Sequence, residues 1–375
     1  MQDITILCKV VDNFGDIGVV YRLARAFQEL EPVHLRIVAD NLESFSLLCP
    51  KVDASKSVQT VNDWKILQWN DEKVCTEEFL KNPPQLIIEC FQCGRPNWLE
   101  KLLFEVKYSN TVYIIMLDYL TAEDYAETFH KLKSLTRSAS VQKVNFMPGF
   151  TKKTGGLILD SKFLCSLKKA KSTFEQTKFK ILFFSYPKNL TPVVNAFETF
   201  NQKVCKPSKK NLFVNLAQGA GKQSFVDAIN AKKTSFSIQI LDFLPQEKWD
   251  FILCNSDLLF VRGEDSLSRA CLCGKPFLWH AYPQSENYQL VKVQALLNKM
   301  KPFFEVQIFT IIEKCFLIYN NDEKSCDELE SALTEFLLLF NKMKVGFENF
   351  SRSLISNGNL AKNLLDFGKE FISLC

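Results

Sequence analysis

Short apolar runs alternate with amphipathic stretches along this chain, and the alternation restarts once. In the first half, runs at residues 4–11, 33–39, 86–89 and 112–117 read as strands, with helical patterns at 17–30 and 98–106. Continuous apolar runs of this length suit strands buried on both faces of a parallel sheet. Residues 160–180 then turn to Lys, Ser, Thr and Gln, which predicts a linker. Beyond it, strands are expected at 180–185, 211–216, 235–241, 250–253, 258–261 and 276–279, followed by helices at 285–299 and 304–320. From Asp327 onward apolar residues recur every three or four positions, the mark of helices with one buried face.

Two places in this pattern carry chemistry. The first strand runs into Asp12-Asn-Phe-Gly-Asp-Ile-Gly18 and a helix; the strand at 258–261 runs into Arg262-Gly-Glu-Asp-Ser266 and a helix. Open α/β sheets bind ligands at the C-terminal ends of their strands, so two such units predict two lobes facing one cleft. Asp12 and Asp16 lie four apart in one turn, so both carboxylates can enter one crevice and orient or deprotonate a nucleophile. Gly15 and Gly18 allow close backbone approach, and the amides of a helix start favour an anion. The plainer reading, an Asp capping the helix, accounts for one carboxylate but not for two. In the second turn Arg262 and Ser266 supply the cation and hydroxyl that a diphosphate needs. Glu264 and Asp265 would repel phosphate and suit ribose or sugar hydroxyls; a cap beside an incidental ion pair fits this motif equally well. Phe243, Gln246 and Trp249, with Tyr282 further on, are of the types that sandwich and read a nucleobase. In a chain with 33 Phe, however, any single aromatic is more often core.

Composition narrows the choice. A chain of 375 residues exceeds one compact core, which predicts two domains. Net charge is +4 from 46 basic and 42 acidic residues, too balanced to argue for nucleic acid. The 13 Cys show no regular spacing, and Cys90/Cys93 and Cys271/Cys273 lack a matching His or Cys set. Zinc is therefore not expected; reduced, buried thiols and a cytosolic location are. No Asp-x-Asp triplet offers ligands for a metal-bridged sugar nucleotide, and no G-x-G-x-x-G follows the first strand, which counts against a nicotinamide-dependent enzyme. Gln218-Gly-Ala-Gly-Lys-Gln-Ser224 hints at a phosphate loop but breaks the Walker pattern and reads as a surface turn. His130 and His280 have no nucleophile partner and read as structural. No signal segment or apolar run near the ~20 residues of a membrane span is present, so a soluble, cytoplasmic protein is expected.

Two α/β lobes with a helical tail describe the GT-B architecture, with C-terminal helices crossing back to the N-terminal lobe. Seven segments, in order, resemble the EarP family of protein-arginine rhamnosyltransferases of bacteria. They are Cys8-Lys-Val-Val-Asp-Asn-Phe-Gly-Asp-Ile-Gly18, Tyr21-Arg-Leu-Ala-Arg25, Ile87-Ile-Glu-Cys-Phe91, Asp118-Tyr-Leu-Thr-Ala-Glu-Asp124, Met147-Pro-Gly-Phe-Thr-Lys-Lys-Thr-Gly-Gly156, Phe260-Val-Arg-Gly-Glu-Asp-Ser-Leu-Ser-Arg269 and Trp279-His-Ala-Tyr-Pro-Gln284.

The resemblance implies a metal-independent, inverting GT-B enzyme without a cofactor. Such an enzyme moves rhamnose from dTDP-β-L-rhamnose to an arginine nitrogen of elongation factor P, activating that factor for ribosomes stalled on polyproline. Asp16 falls on the general base, Asp12 on its essential neighbour and Glu264 on a further required carboxylate. Asn13, Phe14, Gly15, Tyr186, Phe243, Gln246, Trp249, Arg262, Gly263, Asp265, Ser266 and Tyr282 fall on donor-binding positions. Of these, Phe243, Gln246 and Trp249 surround the nucleobase, and Trp249 stands where the family pattern has Phe. Residues 1–165 become the acceptor-side domain, 166–350 the nucleotide-sugar domain and 351–375 a helix packing back on the first. The implied partners are elongation factor P and the donor, with neither nucleic acid nor membrane, in the bacterial cytoplasm. The rivals are a GT-B enzyme with another donor or acceptor, and a non-catalytic binder of elongation factor P. Three carboxylates count against the binder, which has no need of them.

Overall fold

The computed structural model describes residues 2–11, 14–106, 108–172 and 177–373. It divides into one unit of Met1–Ser161 with Asn357–Cys375 and a second of Lys162–Ser356.

The first unit carries the strands β1 (Gln2–Cys8), β2 (Val33–Ala39), β3 (Val58–Val61), β4 (Trp64–Gln68), β5 (Leu86–Cys90), β6 (Val112–Leu117), β7 (Lys133–Ser134) and β8 (Val141–Phe146). They form one sheet in the order β3-β4-β2-β1-β5-β6-β8-β7. The six inner strands run parallel, and the edges β3 and β7 are antiparallel to their neighbours. Ile6 of β1 lies between Ile37 and Ile88 in register, buried on both sides. The chain leaves β1 towards β2 and returns on the other side as β5, so the order reverses there and opens a crevice at the C-terminal ends. β1 ends at Cys8, before its apolar run does. The amides of Val10 and Val11 donate to Asp40 Oδ1 (2.8 Å) and Asp16 Oδ2 (2.7 Å) instead of to a strand.

The hairpin β3–β4 and the strand β8 are absent from the sequence reading. The hairpin turns on Asn62 and Asp63, both left-handed (φ 50° and 63°), the conformation of a two-residue hairpin loop. In β8 the polar Gln142, Lys143 and Asn145 interrupt the apolar run. The helix Leu360–Ser373 returns to this unit, where Leu364, Leu365, Phe367 and Phe371 join the core containing β1. The Asn359 side chain ties the return in place, accepting from the Leu159 amide (3.1 Å) and donating to its carbonyl (2.9 Å).

The second unit holds β9 (Lys178–Phe183), β10 (Asn211–Leu216), β11 (Ser237–Ile240), β12 (Leu258–Arg262) and β13 (Phe277–His280). All are parallel in the order β11-β10-β9-β12-β13, with the reversal between β9 and β12. Phenylalanines fill its centre: the Phe183 ring lies 4.6, 5.2 and 6.0 Å from those of Phe225, Phe260 and Phe197.

Three expectations need correction. The Lys-rich segment taken for a linker contains the helix Ser161–Ser172, whose Phe163 is fully buried while Lys162, Lys168 and Lys169 are exposed; residues 173–176 lie outside the described residues. Residues 250–253 are not a strand but part of the helix Gln246–Cys254, whose buried Gln246, Asp250, Leu253 and Cys254 follow helical spacing. A short apolar run is ambiguous between the two by periodicity alone. The thiols are not all buried either, since Cys165 and Cys326 are exposed. No helix among the described residues is long and apolar enough to cross a membrane.

Two histidines are held neutral. His130 Nδ1 accepts the Met147 amide (3.1 Å), and burial, then Lys131, lowers its pKa to about 4. Burial, then Lys188 and Arg262, lowers that of His280 to about 3. Both lie below the unfolded value of about 6.5, so the unfolded chain binds more protons as pH falls through that value. Their contribution is present above pH ~6.5 and lost progressively on acidification. A His130→Asn variant, which keeps an acceptor for Met147 but cannot titrate, is therefore expected to lose less thermal stability than the parent between pH 7 and pH 5. Melting curves at both pH values check this, and equal losses would refute it.

Candidate active site

In the first unit the crevice at the end of β1 is occupied by the start of the helix Gly15–Leu30. Its N-cap, Phe14, forms no side-chain cap bond, and Gly15 is the first helical residue. Asp16 is buried, and its carboxylate reaches back to the Val11 amide, closing the turn that leaves β1. Asp12 and Asn13 lie outside the described residues.

The neighbouring strand ends add groups that sequence reasoning did not single out. After β5, Phe91 and Gln92 both adopt left-handed backbone (φ 58° and 52°), which costs non-glycine residues ~1–3 kcal/mol each. Contacts from the end of β6 hold them. The Gln92 amide donates to both Asp118 oxygens (3.1 and 3.3 Å), and the Phe91 ring stacks on Tyr119 at 4.8 Å. Phe91, Asp118 and Tyr119 had membership of the segments at 87–91 and 118–124 as their only signal, and Gln92 had none. Burial pushes up the thiols of Cys8, Cys90 and Cys93, the last to about 12, so none serves as a nucleophile at neutral pH.

In the second unit Arg262 ends β12, and its guanidinium lies 4.5 Å from the ring centroids of both Phe184 and Tyr186. No carboxylate or carbonyl among the described residues pairs with it. Phe184 extends the row to Trp249 (5.2 Å), and Tyr186 extends it to Tyr282 (5.3 Å). Four predicted donor-binding residues thus fall in one row, Trp249 joining it through Phe184, which sequence reasoning missed. The available signal was its spacing: Phe184 and Tyr186 are two apart in extended chain and so share a face.

Gly263 follows with φ 68° and ψ 172°, a left-handed N-cap position that glycine adopts without strain. It lets the chain turn sharply from β12 into the helix Glu264–Cys273, whose first turn holds Glu264, Asp265 and the buried Ser266. The start of this helix favours an anion beside Arg262. Gln246 is buried at the start of its helix, one turn before Trp249, while Phe243 just ahead of it is 54% exposed. The glycine-rich segment after β10, expected to be a surface turn, lies against this row. A Cβ on Gly219 would fall 2.9 Å from a Phe184 ring carbon and 3.2 Å from Arg262 Nη2. Among the described residues no three His, Cys, Asp or Glu side chains converge in a way that would hold a metal ion.

A family model described as elongation factor P (EF-P) rhamnosyltransferase, EarP, matches residues 4–369. Relatives from Shewanella oneidensis, Pseudomonas putida and Neisseria meningitidis serogroup B, each called protein-arginine rhamnosyltransferase, are 30% identical over 326, 309 and 315 residues. These matches span 78%, 78% and 80% of this chain and 79%, 80% and 79% of the relatives. A solved structure described as the structural basis for EarP-mediated arginine glycosylation of translation elongation factor EF-P superposes with a TM-score of 0.60 at 16% identity, over 99% of both chains. A putative UDP-N-acetylglucosamine 2-epimerase from Listeria monocytogenes gives 0.55 at 11%, over 100% of this chain and 97% of its own. At such identities the structural likeness speaks to the fold alone, and the fold is GT-B.

The Gly219 contact yields an expected outcome. Gly219→Ala crowds Phe184 and Arg262 and puts a side chain at φ 146°, so it is expected to destabilise the second unit by ~1 kcal/mol or more. Melting curves check this, and an unchanged midpoint would show that the row has room for the methyl group.

Proposed function

The chain belongs to the EarP family of elongation factor P rhamnosyltransferases and is a glycosyltransferase, and from that premise we propose its reaction. It transfers rhamnose from dTDP-β-L-rhamnose to a side-chain nitrogen of an arginine in elongation factor P, with inversion and without a metal ion. The observation that carries the donor half is Arg262: a guanidinium fixed over two rings, with no acceptor taken up by the described residues. A planar fork of N–H donors at a helix start suits a diphosphate. Trp249 and Phe243, with the Gln246 amide, suit the thymine, and Tyr282 the region beside the phosphates.

The acceptor half rests on Asp16, with Asp12 as its neighbour and Glu264 as a further carboxylate. An arginine guanidinium stays protonated at neutral pH and is a poor nucleophile. Carboxylates grip it, turn it from full conjugation and accept a proton as the bond forms. The nitrogen attacks the anomeric carbon, the bond from that carbon to the dTDP oxygen breaks, and the proton leaves to Asp16. The product guanidinium keeps its single positive charge. The charge gained by departing dTDP is held by Arg262 and the amides at the start of the helix Glu264–Cys273, so these groups supply the stabilisation a divalent ion gives elsewhere.

Intact-mass spectrometry tests the whole reading: elongation factor P, dTDP-rhamnose and this protein in EDTA are expected to yield a gain of one deoxyhexose on an arginine. Asp16→Asn keeps an acceptor for the Val11 amide but loses the charge. It is expected to cut turnover by at least ~10²-fold while leaving dTDP binding near the parent's. Arg262→Ala is expected to raise the donor Kd by roughly 10- to 100-fold. Full turnover by Asp16→Asn would remove the base assignment, and absence of any mass gain would move the donor or the acceptor.

A further inference from the structure

We infer that His280, in its neutral form, is a positioning residue for Arg262, acting through Tyr186 and so setting the affinity for the diphosphate of the sugar nucleotide. The inference rests on the proposed reading of Arg262 as the diphosphate ligand.

His280 ends β13 and stands opposite Arg262 in the β12–β13 register. It is buried, and its Nδ1 lies 3.2 Å from the Tyr186 amide nitrogen. A backbone amide only donates, so Nδ1 is the acceptor and the ring carries its proton on Nε2. This bond occurs where the sheet has run out. The Phe184 amide still donates to the Phe260 carbonyl (2.9 Å), but two residues later Tyr186 has passed the end of β9. His280 takes over from the ladder at the residue whose ring lies beneath the guanidinium. The two rings also meet edge to face at 5.3 Å, so Tyr186 is held through its backbone and its side chain.

The imidazole is itself fixed. Ser185 Oγ lies 2.8 Å from Nδ1 and 3.1 Å from the buried Tyr319 hydroxyl. Burial raises the Tyr319 pKa, so this hydroxyl remains a donor. Lys188 Nζ, bound to the Tyr319 carbonyl (2.7 Å) and Asp322 (3.0 Å), is like Arg262 a cation whose charge acts on the ring. With burial, these two cations keep the ring unprotonated. A protonated ring would turn an N–H towards the Tyr186 amide and break the contact. An aliphatic residue would remove the acceptor that His280 offers to this amide.

The test uses the full chain and dTDP as probe, with Kd read by calorimetry and folding by melting curves. His280→Leu is expected to raise Kd about tenfold, while His280→Asn, whose Oδ1 replaces Nδ1 as acceptor, restores most of the affinity. In an Arg262→Ala background His280→Leu is expected to add nothing, and the KM for elongation factor P stays unchanged. A merely structural role would lower the melting temperature of both backgrounds without this dependence on Arg262. A parental Kd in His280→Leu, or the same tenfold loss on top of Arg262→Ala, overturns the inference. Arg262→Ala with undiminished dTDP affinity overturns the diphosphate reading instead. Should His280→Leu fail to fold, Ser185→Ala frees the imidazole from Tyr319. It is expected to weaken dTDP binding about threefold in the parent and not in Arg262→Ala, and equal effects in both overturn the inference.

Discussion

A guanidinium resting on two aromatic rings is the contact on which the second unit's site depends. Each cation–π contact of this kind is worth only ~0.5–2 kcal/mol, less than a buried ion pair with a carboxylate would gain in attraction. The weaker partner is the useful one. Rings hold Arg262 in place without occupying its N–H donors, so the charge remains available to a ligand. The rings are rigid because β9 and β12 lie side by side over a cluster of phenylalanines, and because Gly219 presents no side chain to crowd them.

The first unit solves a related problem with opposite charge. Its sheet also reverses order, and at that point a buried carboxylate, Asp16, closes the turn from β1. Next to it two strained residues, Phe91 and Gln92, are held by the Asp118 carboxylate and the Tyr119 ring. Each unit thus keeps a charged side chain at its own strand-order reversal, a carboxylate in the first and, in the second, a guanidinium without an ion-pair partner among the described residues. The same topological device serves both because it exposes helix starts and strand ends at one edge.

Much of the architecture was legible along the chain. Strand β6 lies within the apolar run that predicted it, since a strand buried on both faces carries little else, and β2 keeps its predicted bounds although His34 and Arg36 interrupt its apolar residues. Arg262 stands at a strand end, where a charged residue closing an apolar run belongs, and Asp16 stands in the first turn of the helix that follows β1. Other segments misled for physical reasons. The helix Ser161–Ser172 buries Phe163 but is otherwise rich in Lys and Ser, so its composition resembles a linker. In the helix Gln246–Cys254 a polar Asp250 is buried, which breaks the contrast between inner and outer faces that periodicity needs.

The sequence by itself determined the two α/β units, the turns that carry charge, and the family to which these turns belong. All of these are written in neighbouring residues, through hydrophobic period and turn chemistry. Tertiary structure alone decided which distant groups meet. Phe184 under Arg262, Gly219 beside it and His280 behind Tyr186 come together only because β10, β9, β12 and β13 pair in one order and one register. His280 and the amide it accepts from are 94 residues apart. No local pattern encodes that contact, because it is a property of strand order and of where each strand stops.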